Sequence, residues 1–356
     1  MKRITRAIGV ATLLVLAASV ARAGDIVGYT AMLVPANADV RVGVPFNRDV
    51  AGTYTVDVVT VAENKFTVDE SITAGTYGSS YYVRFVDGGA AGRWATVDNT
   101  DTADMIVLTD STMLSSVAKG NKVEVYPHQT LASVFPDELL DVSFEASIKH
   151  ATLPFIETYT TQVLVFTGAS DGINKSATDT YYYYDGAWRE VGKALTESYD
   201  DVALDPRSTV LIRNLNEDGE LVYVPNGNVP TGSLAMEVTN GVDNDILTTT
   251  GRPTPVTLDQ LNLGGTDAFV DSQKHPTLPF IQTYGDTVLV FDNGSGSQNH
   301  SAVDTYFYYN GGWRKVGQAL TSDFGSTQLD ETDGFIIRKT DELGSGSAIW
   351  TAVTPY

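Results

Sequence analysis

The chain contains an internal repeat, and this repeat is the feature that most limits how it can fold. Residues 150–215 align with residues 275–340 without a gap at a spacing of 125, and 33 of the 66 aligned positions are identical. A period of this length is that of a duplicated domain, because solenoid repeats span only about 20–50 residues. We therefore expect two homologous modules, preceded by a unique N-terminal region that ends near residue 128.

Short apolar runs in both modules predict strands. Gln162–Phe166 and Thr287–Phe291 are continuous apolar runs bounded by Gly, Ser, Asn and Asp, a pattern typical of buried strands. In the N-terminal region, residues 54–58 and 122–126 alternate between apolar and polar residues, which indicates strands with one buried face. The 32 Gly and 18 Tyr of the chain favour tight turns and strands over long helices.

Each module also carries a hairpin signal. In the first copy, Asp185-Gly186 separates a tyrosine-rich run from a second run with β propensity, and in the second copy Asn310-Gly311 occupies the same place. A type I′ turn needs positive φ at both central residues, and these dipeptides tolerate it. The sequence therefore predicts a two-residue hairpin in both modules.

These patterns predict an all-β protein of mostly antiparallel strands with short helices only. We expect an N-terminal small β-barrel or sandwich, followed by two homologous β-modules. A brief helix is predicted after Thr257, because Gln260 lies three residues later at capping-box spacing. The expected divisions are residues 1–23 for a signal peptide, 24–128 for the N-terminal β-domain, 129–251 for the first module with its connector, and 252–356 for the second module.

The first 23 residues have the pattern of a secretory signal peptide. Three basic residues precede the apolar stretch 7–20, and the small residues Ala21 and Ala23 occupy the two positions that a signal peptidase requires. We expect cleavage after Ala23, because about 14 apolar residues are too few to cross a bilayer comfortably. No later segment resembles a membrane-spanning helix. The expected location is therefore secreted: extracellular, periplasmic or associated with the outer envelope.

The chain is acidic and contains no cysteine. It has 44 acidic and 23 basic side chains, and removal of the signal peptide takes away four basic residues, so the mature chain has 19 basic groups and a net charge of −25. This charge repels nucleic acid and anionic lipid, so we expect no nucleic-acid partner. The absence of cysteine excludes disulfides, thiol nucleophiles and cysteine-ligated metal clusters.

Aromatic side chains on the predicted hairpins are the candidate ligand-binding residues. In a two-residue hairpin Tyr183 lies opposite Trp188, and Tyr181 shares their face. A partly exposed ladder of rings can stack on sugars or on a partner protein, and the alternative is that the rings pack the interior of the sheet. Glu190 is replaced by Lys315 in the second copy, which indicates that this face meets solvent there. The candidate set is Tyr181, Tyr183, Trp188, Tyr306, Tyr308 and Trp313.

The motif His-x-Thr-Leu-Pro-Phe occurs in both modules and places His150 and His275 at equivalent positions. Neither histidine has a second His, Asp or Glu at ligand spacing nearby, so we expect each to end a strand or loop through a backbone hydrogen bond. The sequences Asn174-Lys-Ser and Asn299-His-Ser match glycosylation sequons, but turn residues are the preferred interpretation. We predict no catalytic residue and no metal ligand.

No cofactor is expected, and calcium is the weaker alternative. Asp98, Asp101 and Asp104 cluster in the N-terminal region without a recognisable loop geometry. Residues 214–219 resemble the first half of an EF-hand loop, but position 12 of such a loop would be Pro225 where a bidentate glutamate is needed. A polar hairpin turn is the preferred interpretation of this segment.

Three motifs give the chain a resemblance to a known family. They are residues 34–46 (VPANADVRVGVPF), residues 81–85 (YYVRF) and the paired hairpin signature that reads YYYYDGAWR in the first module. With these motifs the chain resembles an uncharacterised family of secreted bacterial proteins over nearly the whole mature length. The resemblance implies export, and it brings no known activity, substrate or catalytic residue.

The expected function is that of a secreted, non-catalytic binding or structural protein, extracellular or associated with the envelope. Duplication gives two similar surfaces and therefore avidity. Carbohydrate binding is the sharper form of this hypothesis, with an extracellular glycan or a surface protein as the partner. The alternative is an extracellular hydrolase acting on glycosides with an acid pair in an interdomain cleft. Burial of Trp188 and Trp313 tests the stacking hypothesis, because enclosed rings cannot stack on a sugar.

Overall fold

A computed structural model describes residues 26–100, 102–166, 172–217 and 219–352. Strands make up 43% of it and helices 6%, which is the all-β fold that the sequence predicts. Among the described residues, no helix is both long and apolar enough to cross a bilayer. The predicted signal peptide, residues 1–23, lies outside the described residues.

The described part of the chain begins with three short strands and continues into a closed barrel of six. The first three strands are β1 (Val27–Tyr29), β2 (Met32–Val34) and β3 (Ala38–Gly43). The barrel strands are β4 (Gly52–Thr60), β5 (Lys65–Val68), β6 (Tyr81–Phe85), β7 (Trp94–Asn99), β8 (Met105–Leu108) and β9 (Lys122–Pro127). They close in the order β4-β5-β8-β7-β6-β9 around an apolar core that includes Phe66 and Phe85. Closure leaves the barrel without free sheet edges.

Among the described residues, ten further strands and the short helix α1 (Leu131–Val134) follow the barrel up to residue 229. The strands are β10 (Gln129–Thr130), β11 (Ile148–Lys149), β12 (Ile156–Thr158), β13 (Thr161–Val165), β14 (Asp179–Tyr184), β15 (Ala187–Glu190), β16 (Ala203–Leu204), β17 (Thr209–Asn214), β18 (Leu221–Tyr223) and β19 (Asn226–Asn228). The main sheet has the strand order β15-β14-β13-β17-β3, so its last strand comes from the segment before the barrel.

The remaining strands repeat this pattern. They are β20 (Leu234–Asn240), β21 (Asn244–Thr249), β22 (Val256–Thr257), β23 (Gln273–Lys274), β24 (Ile281–Thr283), β25 (Thr287–Val290), β26 (Asp304–Tyr309), β27 (Gly312–Lys315), β28 (Gln328–Leu329), β29 (Gly334–Lys339) and β30 (Gly346–Ala352). Their main sheet has the order β21-β29-β25-β26-β27. The remaining elements are short 3-10 turns at Val61–Glu63, Gly88–Ala90, Leu114–Ser116, Asp137–Leu139 and Asp259–Leu261.

Strand pairing changes the division of the chain that the sequence predicts. Strand β3 pairs with β17, and β21 pairs with β29 in the same register, with an aspartate opposite an arginine in each pair. Residues 26–47 therefore belong with residues 129–229, which we call unit 1, and residues 234–352 form unit 2. The barrel is inserted into unit 1 between β3 and β10. The short strands at 38–43 and 244–249 share almost no sequence, so the repeat alone did not reveal their equivalence.

The predicted turns and cap are present. Asp185 and Gly186 have φ values of 51° and 73°, and Asn310 and Gly311 have 51° and 74°, as a type I′ turn requires. The capping box at Thr257 is formed, because its backbone N–H donates to Gln260 Oε1 at 2.8 Å and its hydroxyl accepts from the Gln260 N–H at 3.3 Å.

A reciprocal set of side chains joins the two units, and we call it the clasp. One half consists of Asp39, Arg213 and Asn299, and the other half consists of Asp245, Arg338 and Asn174. In the first half, Arg213 donates from Nε and Nη2 to both carboxylate oxygens of Asp39, each at 2.8 Å. Asn299 of unit 2 accepts from Arg213 Nη2 at 2.9 Å and donates its backbone N–H to Asp39 at 2.8 Å. Asp39 is 1% exposed, so the ion pair is largely screened from water.

The second half of the clasp has the same contacts with the units exchanged. Arg338 donates to the two oxygens of Asp245 at 2.7 and 2.8 Å, and to Asn174 Oδ1 of unit 1 at 2.8 Å. The backbone N–H of Asn174 donates to Asp245 at 2.6 Å. Asn174 and Asn299 have φ values of 53° and 51°, a region in which asparagine is strongly enriched. These asparagines are turn residues, as the sequence predicts, and their turns reach across to the other unit.

We predict that the Asp39→Asn and Asp245→Asn variants lose similar amounts of stability. Each leaves a partly buried arginine without its carboxylate, which costs about 3–5 kcal/mol. The measurement is urea unfolding followed by tryptophan fluorescence at pH 7. Lys119→Met is the control, because Lys119 pairs with Asp57 at the exposed barrel surface, and its midpoint should stay at the wild-type value. Aspartate variants that unfold at the same midpoint as this control would contradict a stabilising role of the clasp.

Candidate functional site

The structure places the six predicted aromatic residues inside the two units. Register is as predicted, with Tyr183 opposite Trp188 and Tyr308 opposite Trp313. Both tryptophans are 1% exposed. Trp188 packs against Phe144, with ring centroids 5.1 Å apart, in the core of unit 1. Trp313 occupies the equivalent place in unit 2.

Burial gives these residues a packing role in place of the predicted ligand-binding role. Tyr181, Tyr183 and Tyr306 are also buried, and Tyr308 is half-buried against the same core. Tyr183 donates its hydroxyl to Asp137 at 2.7 Å, and Tyr306 donates to Asp304 at 2.9 Å. Burial, reinforced by these carboxylates, raises the pKa of both tyrosines to about 12, so the hydroxyls stay protonated. Stacking on a sugar needs a free ring face, and core residues cover the faces here.

The repeated His-x-Thr-Leu-Pro-Phe motif forms the most exposed apolar feature that the two units share. We call residues 150–155 and 275–280 the tip loops, because they connect β11 to β12 and β23 to β24. Leu153 and Phe155 are both 47% exposed, and Leu278 and Phe280 are 46% and 48% exposed. The same two apolar side chains therefore face water to the same extent in both units.

A histidine holds each tip loop in shape. His150 Nδ1 accepts hydrogen bonds from the backbone N–H groups of Thr152 at 3.2 Å and Leu153 at 3.1 Å. The backbone N–H of His150 donates to the Phe155 carbonyl at 2.9 Å. Its ring lies against the Phe155 ring at 5.0 Å. His275 makes the equivalent contacts in unit 2, with the same three distances and a ring separation of 5.1 Å. The predicted loop-ending role of both histidines is confirmed, and Nδ1 is occupied as an acceptor.

The tip loops are nearly identical in the two units, whereas some exposed positions near them differ. Five of the six residues are identical, and only Ala151 is replaced, by Pro276. Nearby exposed Glu157 corresponds to Gln282 in the second copy. The turn itself is made by backbone groups and the histidine, so the loop geometry does not require the leucine. Retention of an exposed leucine and phenylalanine in both units indicates a surface used for contact.

Side chains at the junction between the barrel and unit 1 bear on the hydrolase alternative. His128 Nε2 lies 3.2 Å from Thr96 Oγ1, and its Nδ1 lies 3.9 Å from Asp205 Oδ1. The order resembles a nucleophile, base and acid, but 3.9 Å is too long for a hydrogen bond. His128 is also 1% exposed, which leaves a substrate no access to the ring. We therefore assign His128 a structural role, in which its contacts with Thr96 hold the barrel against unit 1.

The predicted calcium positions make ordinary protein contacts. Asp104 Oδ1 accepts the N–H of Ile72 at 2.9 Å, and Asp98 accepts from Asn99 at 2.9 Å. Asp101 lies outside the described residues. In the EF-hand-like segment, Asn214 donates to the carbonyl of Gly219 at 2.7 Å. Across the described part of the chain, no group of three or more His, Cys, Asp or Glu side chains is arranged to hold a metal ion.

Comparison with known proteins adds no further constraint, since no protein-family model, curated protein or solved structure matches this chain. The resemblance to a secreted bacterial family therefore stays a prediction. The functional argument rests on the geometry of the two units.

We predict that His150→Ala exposes the Thr152 and Leu153 amides to solvent. The variant removes the Nδ1 acceptor from both N–H groups, so their hydrogen–deuterium exchange should accelerate by about tenfold or more, consistent with loss of about 1–2 kcal/mol. His150→Asn is the matched control, because its side-chain oxygen can replace Nδ1 as an acceptor. Equal exchange in wild type and the alanine variant would show that the histidine does not hold the loop.

The stability of the folded protein should also decrease as the pH is lowered, because of His128. Burial lowers the pKa of His128 to about 4, from its usual value near 6.5. The unfolded chain therefore takes up the proton first, so the stabilising contribution is complete above pH 6.5 and is lost as pH falls towards 4. The loss is roughly 3 kcal/mol.

The measurement is the urea midpoint across pH 4–7 for wild type, His128→Gln and His300→Gln. His128→Gln should flatten the decline, whereas His300→Gln should follow the wild type because it leaves the buried His128 in place and His300 itself is only partly buried. If all three curves keep the same slope, His128 does not cause the decline.

Proposed function

We propose that this is an exported, non-catalytic binding protein that contacts a partner through its two tip loops. The observation that carries the proposal is the matched exposure of Leu153 with Phe155 and of Leu278 with Phe280 on two loops of identical construction. Rigid loops lose little conformational entropy on binding, which favours their use as recognition elements. The expected location remains extracellular or associated with the envelope.

One tip loop alone would bind weakly. Covering its leucine and phenylalanine removes roughly 200 Å² of apolar surface from water, worth about 5 kcal/mol before the cost of association is subtracted. Two loops on one rigid frame convert the second contact into an intramolecular event, which raises the apparent affinity by about 100-fold or more. Duplication of the unit therefore supplies the affinity that a single loop lacks.

The chemistry of the loops favours a protein surface as the partner. Each loop combines two apolar side chains with an exposed lysine, Lys149 in unit 1 and Lys274 in unit 2. An apolar recess bordered by a carboxylate complements this combination. The sequence predicts sugar recognition by stacking on Trp188 and Trp313. Burial of both rings removes the support for carbohydrate binding at these residues. The alternative of a glycoside hydrolase with an acid pair in an interdomain cleft stays a prediction.

We predict that Leu153→Asp and Leu278→Asp each weaken binding by about 100-fold, because either change removes one of two linked contacts. The double variant should not bind measurably. The measurement is a biosensor titration against immobilised surface proteins from the producing cells. The double variant Val58→Asp, Val61→Asp is the matched control, because it adds the same charges at exposed apolar positions of the barrel segment. Equal binding by wild type and the tip-loop double variant would refute the proposed function.

A further inference from the structure

Arg207 is a buried cation where unit 1 meets unit 2. Its side chain is 5% exposed and its guanidinium lies 4.0 Å above the Trp350 ring. Nη2 donates to the Thr249 carbonyl at a long 3.4 Å. Within the described residues, Nε and Nη1 are buried and have no hydrogen-bond partner. The backbone of Arg207 has φ of 65°, an uncommon value for a residue other than glycine.

The surroundings of Arg207 supply positive charge. In the described part of the chain no carboxylate forms an ion pair with it, and the charged group that acts on it is Arg252. Arg252 is 1% exposed and donates to the carbonyls of Pro230 at 2.6 Å and Gly232 at 2.9 Å. Burial, followed by repulsion from Arg252, lowers the pKa of Arg207 to about 9, so it still carries its charge at neutral pH.

Two other arginines between the units, Arg213 and Arg338, are neutralised within the protein. Arg213 and Arg338 each bind a carboxylate with two hydrogen bonds. The position equivalent to Arg207 in unit 2 is Thr332, so the repeated fold does not require a cation there. A buried charge without a counter-charge is strongly destabilising. We therefore expect a negatively charged group to lie beside the Arg207 guanidinium.

Three hydroxyl groups on the segments that carry Arg207 and Thr249 also lack partners. Ser208 Oγ, Thr209 Oγ1 and Thr249 Oγ1 are buried without a hydrogen bond among the described residues. A hydroxyl can donate or accept, whereas a guanidinium only donates. Nε and Nη1 of Arg207 therefore need an acceptor, and the positive charge of the guanidinium favours one with negative charge.

We propose that Arg207 binds a small inorganic anion of the size and charge of chloride at the junction of the two units. Nε and Nη1 of Arg207 donate to it, and the hydroxyls of Ser208 and Thr249 lie on the adjoining segments. The near-complete burial of the side chain limits the ligand to an ion of this size and excludes a peptide or nucleotide. This anion is a structural ligand that fixes unit 1 against unit 2, and it is independent of the tip loops.

The first test is thermal unfolding of the full mature chain in sodium chloride and in sodium gluconate at equal ionic strength. We expect the melting temperature to rise saturably with chloride, by about 5 °C at a hundredfold excess over the dissociation constant. Arg207→Met should lose this dependence, whereas Arg48→Met, an exposed arginine, should keep it. The same melting temperature in both salts, or a chloride dependence shared by Arg207→Met, would overturn the proposal.

The second test measures the anion directly on folded protein. Exchange with a buried site broadens the chloride NMR line, and added bromide should reverse the broadening by competition. We expect wild type and Arg48→Met to broaden the line equally and Arg207→Met to broaden it far less. Wild-type protein that produces no reversible broadening refutes the site, whether or not the methionine variant folds, and water would then be the group that meets these donors.

Discussion

Two aspartate–arginine pairs with buried carboxylates join the two units of this protein. Asp39 and Asp245 each hold an arginine of the neighbouring strand in their own unit and a backbone N–H of the other unit. Each carboxylate therefore bonds both to the neighbouring strand of its own sheet and to the backbone of the other unit. The links are reciprocal, since each unit supplies one aspartate–arginine pair and one asparagine turn to the contact.

The structure also shows how an acidic chain without cysteine holds three bodies together. The barrel is inserted into unit 1 and meets it at neutral, buried His128, whose ring contacts Thr96 of the barrel. The units meet at the clasp, whose aspartates have all their contacts satisfied by arginine and backbone donors. Buried polar groups are costly unless they are satisfied, so this junction is specific as well as stabilising. A rigid frame is what two weak tip-loop contacts need in order to act together.

The candidate site was predictable in part. The repeated histidine motif stands out in the sequence, and the loop-ending role of His150 follows from its lack of metal-ligand neighbours. Exposure of Leu153 and Phe155 does not follow, because an apolar residue beside a strand is more often buried. The hairpin register of Tyr183 and Trp188 was predicted correctly, but the alternation of a strand shows only which side chains share a face. What covers that face depends on residues such as Phe135 and Phe144, which come from a different part of the chain.

By itself the sequence determined the local structure: the all-β class, the duplication, the type I′ turns at Asp185-Gly186 and Asn310-Gly311, and the capping box at Thr257. These features depend on backbone preferences and side-chain contacts within a few residues. Only the tertiary structure decided that β3 pairs with β17, about 170 residues later, and not with a strand of the barrel that follows it. It also decided that the aromatic hairpins face inward. Such pairings depend on which distant surfaces exclude water together, and a single short strand carries too little pattern to specify its partner.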